Sequence, residues 1–152
     1  MLDYAGLERV SSGCIHFVHD HIENIPLLRD VIPELRRKGI ACAYVRYAPG
    51  GGVGTIADEI GERLALDHRP YASGRRPWIR FLDDLIGLSF RVAGLVLIID
   101  DADAFLAADR DEAFNLIEAF LIQFHHWFEK EKPCHLCFQL EPNPLIEQVF
   151  QK

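Results

Sequence analysis

Apolar positions along this chain form short continuous runs that alternate with helical repeats. Runs rich in β-branched and aromatic residues predict four strands, at residues 14–18, 40–47, 95–99 and 134–140. The third run, LVLII, has no polar alternation, so both of its faces must be covered. A strand of this kind is typical of a parallel sheet with helices on each side.

Between these runs, apolar residues recur every three or four positions and predict helices at 27–38, 55–64, 78–86 and 110–130. Gly39 stands where a helix C-terminus favours a left-handed residue, and Pro33 should bend the first helix or delay its start. Thr55 is the expected N-cap of the second helix. Strands that alternate with helices predict an α/β fold, a small parallel sheet of about four strands with helices packed on it, in an order that periodicity leaves open.

The size and composition of the chain fit a single domain. Of its 152 residues, 49% are hydrophobic and 26% charged, and a chain of this length buries about 70% of its extended surface in one core. The net charge of -7 is opposite to the balance of general nucleic-acid binders. We therefore expect a basic macromolecular partner and no nucleic acid.

Several features predict a cytoplasmic protein. The longest apolar run, residues 94–99, is far shorter than a membrane span, and Asp3 and Glu8 lie where a secretory signal would be basic or apolar. We expect no membrane association. The four cysteines, at positions 14, 42, 134 and 137, are interpreted as reduced and buried, because three of them lie within apolar stretches.

A glycine-rich loop runs from Gly50 to Thr55, after a predicted strand and at the start of a predicted helix, where phosphate-binding loops lie. Downstream, Asp100 and Asp101 end the buried strand in the manner of a Walker B motif. The lysine of a P-loop is absent, because the last glycine is followed directly by Thr55. A βα turn is the simpler interpretation. A degenerate nucleotide-binding protein that uses this loop with Asp100 and Asp101 is kept as the alternative.

Three further groups have the composition of metal or redox sites. Asp100, Asp101 and Asp103 lie where carboxylates could hold Mg²⁺, and the histidines at positions 16, 19 and 21 offer nitrogen ligands for zinc. Cys134 and Cys137 have C-x-x-C spacing, but residues three apart in a strand face opposite ways. A structural role explains each of these groups better than a metal or redox role does. We expect no metal, no cofactor, no catalytic residues and no enzymatic activity.

The order of the motifs from residue 70 onward resembles the barstar family of ribonuclease inhibitors. A loop with Pro-Tyr and Gly precedes a helix that opens with Trp78 and carries Asp83, and Leu-Ser-Phe follows at 88–90. The buried strand then runs into Asp-Ala-Asp at 101–103, and a tryptophan stands shortly before Pro-Cys-His at 133–135. Trp78 and Asp83 are the most specific single matches.

The resemblance implies a barstar-like core over residues 40–140, within one domain that spans all 152 residues. Residues 1–39 would be a strand-helix extension, and residues 141–152 a tail packed on the body. Members of the family bind a basic ribonuclease through an acidic helix. The first carboxylate of that helix corresponds here to Ile79, with Arg80 where a small residue is usual, and this change argues against classical ribonuclease inhibition.

The segment 67–84 is the predicted contact surface of a protein-binding module. Its loop and helix start carry four arginines against one aspartate, a local charge of +3 in an acidic protein. We expect a protein partner, and the resemblance implies a ribonuclease or a related toxin. Aromatic anchors, arginines and one acidic contact form the predicted site, which consists of Tyr71, Arg75, Arg76, Trp78, Ile79, Arg80 and Asp83. For Trp78 the alternative is a core position between helix and sheet.

Overall fold

A computed structural model of the chain describes residues 4–18, 27–50, 54–66, 70–72 and 76–140. Strands and helices alternate along these residues, preceded by a 3₁₀ turn at Tyr4–Glu8. A π-helical segment, Leu27–Val31, leads into the first α-helix. The regular elements are β1 Ile15–Val18, α1 Ile32–Arg37, β2 Ile40–Arg46, α2 Thr55–Arg63, α3 Pro77–Leu88, β3 Gly94–Asp100, α4 Ala102–Ala108, α5 Arg110–Glu129 and β4 Cys134–Gln139.

The four strands form one sheet in which every neighbouring pair is parallel, in the order β1-β4-β3-β2. The predicted fold class is therefore confirmed. The register aligns Arg46 with Asp100 and Ile99 with Phe138, so the carboxyl ends of β2, β3 and β4 lie at one edge. Because β1 pairs with β4, the segment predicted as an N-terminal extension contributes an edge strand to the same sheet.

Helices cover the two faces of the sheet unequally. Leu95, Leu97 and Ile99 of β3 belong to the larger core, which they share with buried residues of α2, α3, α4 and α5. Val96 and Ile98 point the other way and pack with buried residues of α1. All seven residues of β3 are buried, as its uninterrupted apolar sequence predicts.

The ends of the first two helices follow the prediction in part. The regular part of α1 begins at Ile32 with Pro33 in its first turn, where the missing N–H of proline is tolerated. Gly39 follows the helix with φ of +83°, the left-handed conformation expected there. The N-cap of α2 is Gly54 and not Thr55, so that prediction is wrong. The chain enters this helix through a left-handed residue, with φ of +80°, which places Thr55 inside the first turn.

Helix α4 is an element that the hydrophobic pattern does not reveal. Its seven residues, ADAFLAA, make about two turns, too few for an apolar repeat to be recognised. The sequence predicts only a capped turn after the buried strand. The helix buries Phe105, which stacks on Tyr47 with ring centroids 4.9 Å apart.

The cysteines are free and buried, as predicted. Cys134 and Cys137 belong to the cores on opposite faces of the sheet, so their C-x-x-C spacing brings no pair of thiols together. Burial raises the pKa of the Cys137 thiol to about 12 and that of Cys14 to about 11. Within the described residues, no helix combines the length and apolar composition of a membrane span.

Candidate functional site

The carboxyl ends of three strands bring polar side chains together at one edge of the sheet. Arg46 ends β2, Asp100 ends β3 and Gln139 ends β4, and the parallel register holds these positions side by side. This is the edge where open α/β sheets bind ligands. The sequence prediction includes only the aspartate, although each of the other two residues also lies near the end of a predicted strand and could have been found by that rule.

Asp100 is fully buried, and its carboxylate is engaged within the protein. It accepts a hydrogen bond from the Tyr44 hydroxyl and another, 2.9 Å long, from the backbone N–H of Asp101. The Arg46 Nε lies 3.8 Å from it. A buried carboxylate needs such partners, because unpaired burial of a charge is strongly unfavourable. The protein therefore compensates the charge of Asp100 internally.

Asp101 extends this group toward solvent. Its backbone is left-handed, with φ of +55°, at the point where the chain turns from β3 into α4. Its carboxylate lies 3.0 Å from Arg46 Nε, so one guanidinium faces both aspartates. The Arg46 and Asp101 side chains are 47% and 39% exposed, so water screens this ion pair and its contribution to stability is at most about 1 kcal/mol.

Gln139 lies next to the two aspartates and is almost completely buried, at 2% exposure. Its Oε1 accepts a hydrogen bond from the Asp101 backbone N–H at 3.3 Å. Its amide nitrogen has no hydrogen-bond partner among the residues that the structure describes. A buried amide donor is usually paired, because desolvation without a partner costs about 1–3 kcal/mol.

The glycine-rich loop is tied to α5 at its end. The Gly54 N–H donates to Glu112 at 2.8 Å, and the Trp78 Nε1 donates to the same carboxylate at 3.0 Å. A phosphate-binding loop keeps its N–H groups for the ligand, but here the glycine N–H is used internally. Glu112 is a further residue that the sequence prediction misses, because nothing in its local pattern distinguishes it from other acidic residues of a helix start.

A small cleft lies beside this edge, on the side of α2, α4 and α5. Its volume is about 20 Å³, enough for one water molecule but far too small for a nucleotide. The Tyr47 hydroxyl donates to Asp109 at this cleft, and this hydrogen bond, followed by burial, raises the pKa of Tyr47 to about 12. The lining combines carboxylates with one guanidinium and apolar residues: Arg46, Tyr47, Ala48, Thr55, Ile56, Glu59, Phe105, Asp109 and Glu112.

The predicted contact residues are divided between core and surface, and Tyr71 belongs to the core. It is fully buried; its hydroxyl donates to Asp84 and its backbone N–H to Asp58. Burial, followed by the hydrogen bond to Asp84, raises the pKa of the Tyr71 hydroxyl. The predicted role as an exposed anchor is at odds with this position, because a side chain without accessible surface cannot contact a partner.

Trp78 and Arg80 are half-buried. The Trp78 ring meets Phe81 edge-on with centroids 5.6 Å apart, and its indole N–H is bound to Glu112, so its contacts fit the alternative core role. The Arg80 guanidinium lies 5.6 Å from the centroid of the Tyr71 ring, over its face. Arg75 lies outside the described residues.

The remaining predicted residues are exposed at α3 and at the residue before it. Ile79 and Asp83 are four positions apart in α3, the spacing that places residues along one side of a helix, and Arg76 precedes them as the left-handed N-cap of that helix. Ile79 is 50% exposed. Phe90 is 70% exposed and lies two residues beyond the end of the helix. We define the α3 face as Arg76, Ile79 and Asp83.

The histidines and acidic residues form no metal site in the described part of the chain, where no group of three or more potential ligands comes together. His16 instead pairs with His135 on the neighbouring strand, with 2.8 Å between Nε2 and Nδ1. The other two histidines of the considered zinc cluster, His19 and His21, lie outside the described residues. The predicted tail at 141–152 lies outside them as well.

No protein-family model and no curated protein matches the chain. Among solved structures, the Aeropyrum pernix ORC2 protein in its ADPNP–ADP complexes is similar, with a TM-score of 0.62 and 13% identity over 92% of this chain. Drosophila ORC bound to DNA is similar over 93% of this chain, with a TM-score of 0.56 and 14% identity. The chain spans 38% and 34% of the lengths of those two chains. At this identity the likeness shows the fold alone, and the resemblance to the barstar family stays a prediction.

Proposed function

We propose that this chain is a non-enzymatic protein-binding module that contacts its partner through the α3 face. The observation that carries the proposal is that Ile79 and Asp83 are exposed on one side of the helix, directly after the exposed N-cap Arg76, with half of the Ile79 side chain accessible. An aliphatic side chain between opposite charges supplies apolar contact area together with electrostatic selection of the partner.

The interior of the molecule supports a binding role over a catalytic one. The groups that could act on a ligand at the carboxyl edge already have partners: Asp100 with Tyr44 and Arg46, and the Gly54 N–H with Glu112. The cleft beside them has room for about one water molecule. A protein that acts through its surface needs none of these groups to be free.

A pull-down with matched variants tests this proposal. The wild-type chain, Ile79→Asp and Val10→Asp are immobilised and exposed to extract of the native cell. Val10 is 38% exposed and lies outside α3, so the control places the same charge on a similarly accessible apolar position. We expect a protein retained by the wild type and by Val10→Asp and reduced at least about tenfold by Ile79→Asp, because a charge at the centre of a contact is poorly tolerated.

Both substitutions should leave the thermal midpoint nearly unchanged, since surface changes usually alter stability by about 0.5 kcal/mol or less. Equal retention by wild type and Ile79→Asp would place the contact surface elsewhere. Loss of retention in both variants would show that it depends on overall charge and not on the α3 face.

A second candidate function, nucleotide binding, is favoured by one specific observation. Asp100 and Asp101 lie beside Gln139, a buried residue whose amide nitrogen has no partner among the described residues, at the edge where nucleotides bind in related folds. A solved structure of similar fold was obtained with ADPNP and ADP. The aspartates could hold Mg²⁺, although Arg46 would first have to release them.

Thermal unfolding with about 1 mM ATP or GTP and Mg²⁺ separates the two functions. A ligand at 100 times its dissociation constant adds about 2.7 kcal/mol, equivalent to roughly 5–10 °C for a domain of this size. Nucleotide binding predicts such a shift in the wild type and its loss in Gln139→Leu, checked for folding by circular dichroism. An unchanged midpoint with every nucleotide would remove this candidate and leave the protein-binding module.

A further inference from the structure

Helix α5 has a second apolar side that is exposed in the described part of the chain. Its inner side packs in the core through residues such as Leu116, Phe120 and Trp127. Its outer side exposes Phe114, Leu121 and Phe128 by 42%, 46% and 45%, each separated from the next by seven positions. A helix that exposes apolar residues at a heptad spacing has the pattern of a helix that pairs with another helix.

The outer side also carries two charged or polar positions that complete the stripe. Glu118 and His125 are exposed and alternate with the apolar residues at spacings of three and four. We define the α5 stripe as Phe114, Glu118, Leu121, His125 and Phe128.

The α5 stripe is complementary to itself when its direction is reversed. Phe114 and Phe128 are each seven positions from Leu121, whereas Glu118 lies three positions before it and His125 four positions after it. In an antiparallel pair of identical helices centred on Leu121, Phe114 of one copy faces Phe128 of the other and the leucines meet at the two-fold axis. Glu118 of one copy lies within one residue, about 1.5 Å along the helix, of the level of His125 of the other. A two-fold contact of this kind uses the same patch on both copies.

The charges favour the antiparallel arrangement over a parallel one. A parallel pair would place each Glu118 against its own copy, and like charges in direct opposition are destabilising. In the antiparallel pair an acid meets a histidine twice.

We propose that this chain forms a two-fold symmetric dimer in which the α5 stripes of two copies pack antiparallel. The α3 face lies on a different helix, so the dimer does not depend on the proposed function. A contact between two single helices buries less than a standard interface of about 1,600 Å², so the dimer should be reversible and dissociate in the micromolar range.

Sedimentation equilibrium of the full chain over roughly 1–200 µM tests the dimer directly, since affinities in this range correspond to about 8 kcal/mol or less. We expect a rise from the monomer mass of 17.3 kDa toward twice that value. Leu121→Asp should weaken dimerisation at least about tenfold with an unchanged circular dichroism spectrum, because two aspartates then meet at the axis. A monomer throughout the range, or a dimer that Leu121→Asp does not affect, would overturn the proposal.

Charge exchange tests the antiparallel register. His125→Glu places two acids opposite each other at two points of the dimer, and we expect the dissociation constant to rise about tenfold. Adding Glu118→Lys to His125→Glu places opposite charges at these two points and should return the constant at least to that of the wild type. Failure of the second substitution to restore affinity would show that these two positions do not face each other.

A disulfide at the axis gives a third, independent measurement. Leu121→Cys places one thiol next to its own copy, and the native cysteines are buried, so mild oxidation with diamide should link the two chains through this position. Ala107→Cys, on an exposed position of α4, is the matched control and should stay monomeric. Equal cross-linking of the two variants would mean random collision and would contradict the two-fold contact.

Discussion

Two histidines on neighbouring strands show how one residue fixes the protonation of another. His135 Nε2 lies 2.8 Å from the backbone carbonyl of Arg9, an oxygen that can only accept, so this nitrogen carries the proton. The other nitrogen of His135, Nδ1, must then accept from His16 Nε2 at 2.8 Å. Both rings are neutral in this arrangement. Burial, followed by the repulsion that a second imidazolium at His135 would exert, lowers the pKa of His16 to about 4, and burial lowers the pKa of His135.

These depressed pKa values predict a loss of stability in mild acid. Between the ordinary pKa of about 6.5 and the value of about 4, the unfolded chain binds a proton that folded His16 does not. The contribution of His16 to the free energy of unfolding is therefore fully present above about pH 6.5 and is lost as the pH drops toward 4, by at most about 1.4 kcal/mol per pH unit.

Urea unfolding at about pH 7.5 and pH 4.5, with His16→Gln as the comparison, measures this contribution, since both proteins share the protonation of every carboxylate. The wild type should lose more stability between the two pH values than the variant does. An identical loss in both proteins would mean that His16 does not titrate differently in the folded and unfolded chain.

At the scale of elements, the junction between the glycine loop and α2 depends on one close backbone approach. A Cβ added at Gly54 would lie 3.0 Å from the Pro77 Cβ and 3.1 Å from the Ala72 Cα. Gly50 in the same loop also has a positive φ, of +90°, but a Cβ there would meet nothing within 4 Å. A comparison of the two glycines therefore separates the cost of a left-handed backbone from the cost of a steric clash with the added methyl group.

We predict that Gly50→Ala lowers the free energy of unfolding by about 1 kcal/mol, the cost of a left-handed alanine. Gly54→Ala should lower it by more than about 2 kcal/mol, because the added methyl group would in addition be forced against Pro77 of α3 and Ala72. Chemical denaturation of the two variants and the wild type gives the values. Similar losses in both would show that α3 moves aside to admit the methyl group.

The elements themselves were largely predictable from the sequence, because each strand is a compact apolar run and β3 has the uninterrupted pattern of a doubly covered strand. The short α4 was not, since two turns give no repeat. The carboxyl edge was predictable in principle, because Arg46 and Gln139 lie at or near strand ends. The burial of Tyr71 was not, since it depends on Asp58 and Asp84, which approach it only in the folded chain.

At the scale of the whole molecule, the charge is unevenly distributed. The chain carries -7, yet the start of α3 presents Arg76 and Arg80 around Ile79, where the barstar resemblance implies a carboxylate. Ile79 is 50% exposed, so an aspartate at this position would remain in contact with water. Replacing it should therefore change the surface charge without a large cost in folding.

We predict that the wild-type chain inhibits a basic, barnase-type ribonuclease poorly, and that Ile79→Asp with Arg80→Ala improves the inhibition constant at least about tenfold. The double variant adds a negative charge at Ile79, within the α3 face, and removes the positive charge of the neighbouring Arg80. Loss of the Arg80 contact with the Tyr71 ring costs about 0.5–1 kcal/mol of stability. Ile79→Asn with Arg80→Ala is the matched control, since it introduces a side chain of similar size without the negative charge. Inhibition is assayed at low and at near-physiological salt. The gain should be smaller at near-physiological salt, where the Debye length is about 8 Å and the charges are screened. Nanomolar inhibition by the wild type would show instead that the missing carboxylate is irrelevant and that a ribonuclease is held by a different surface.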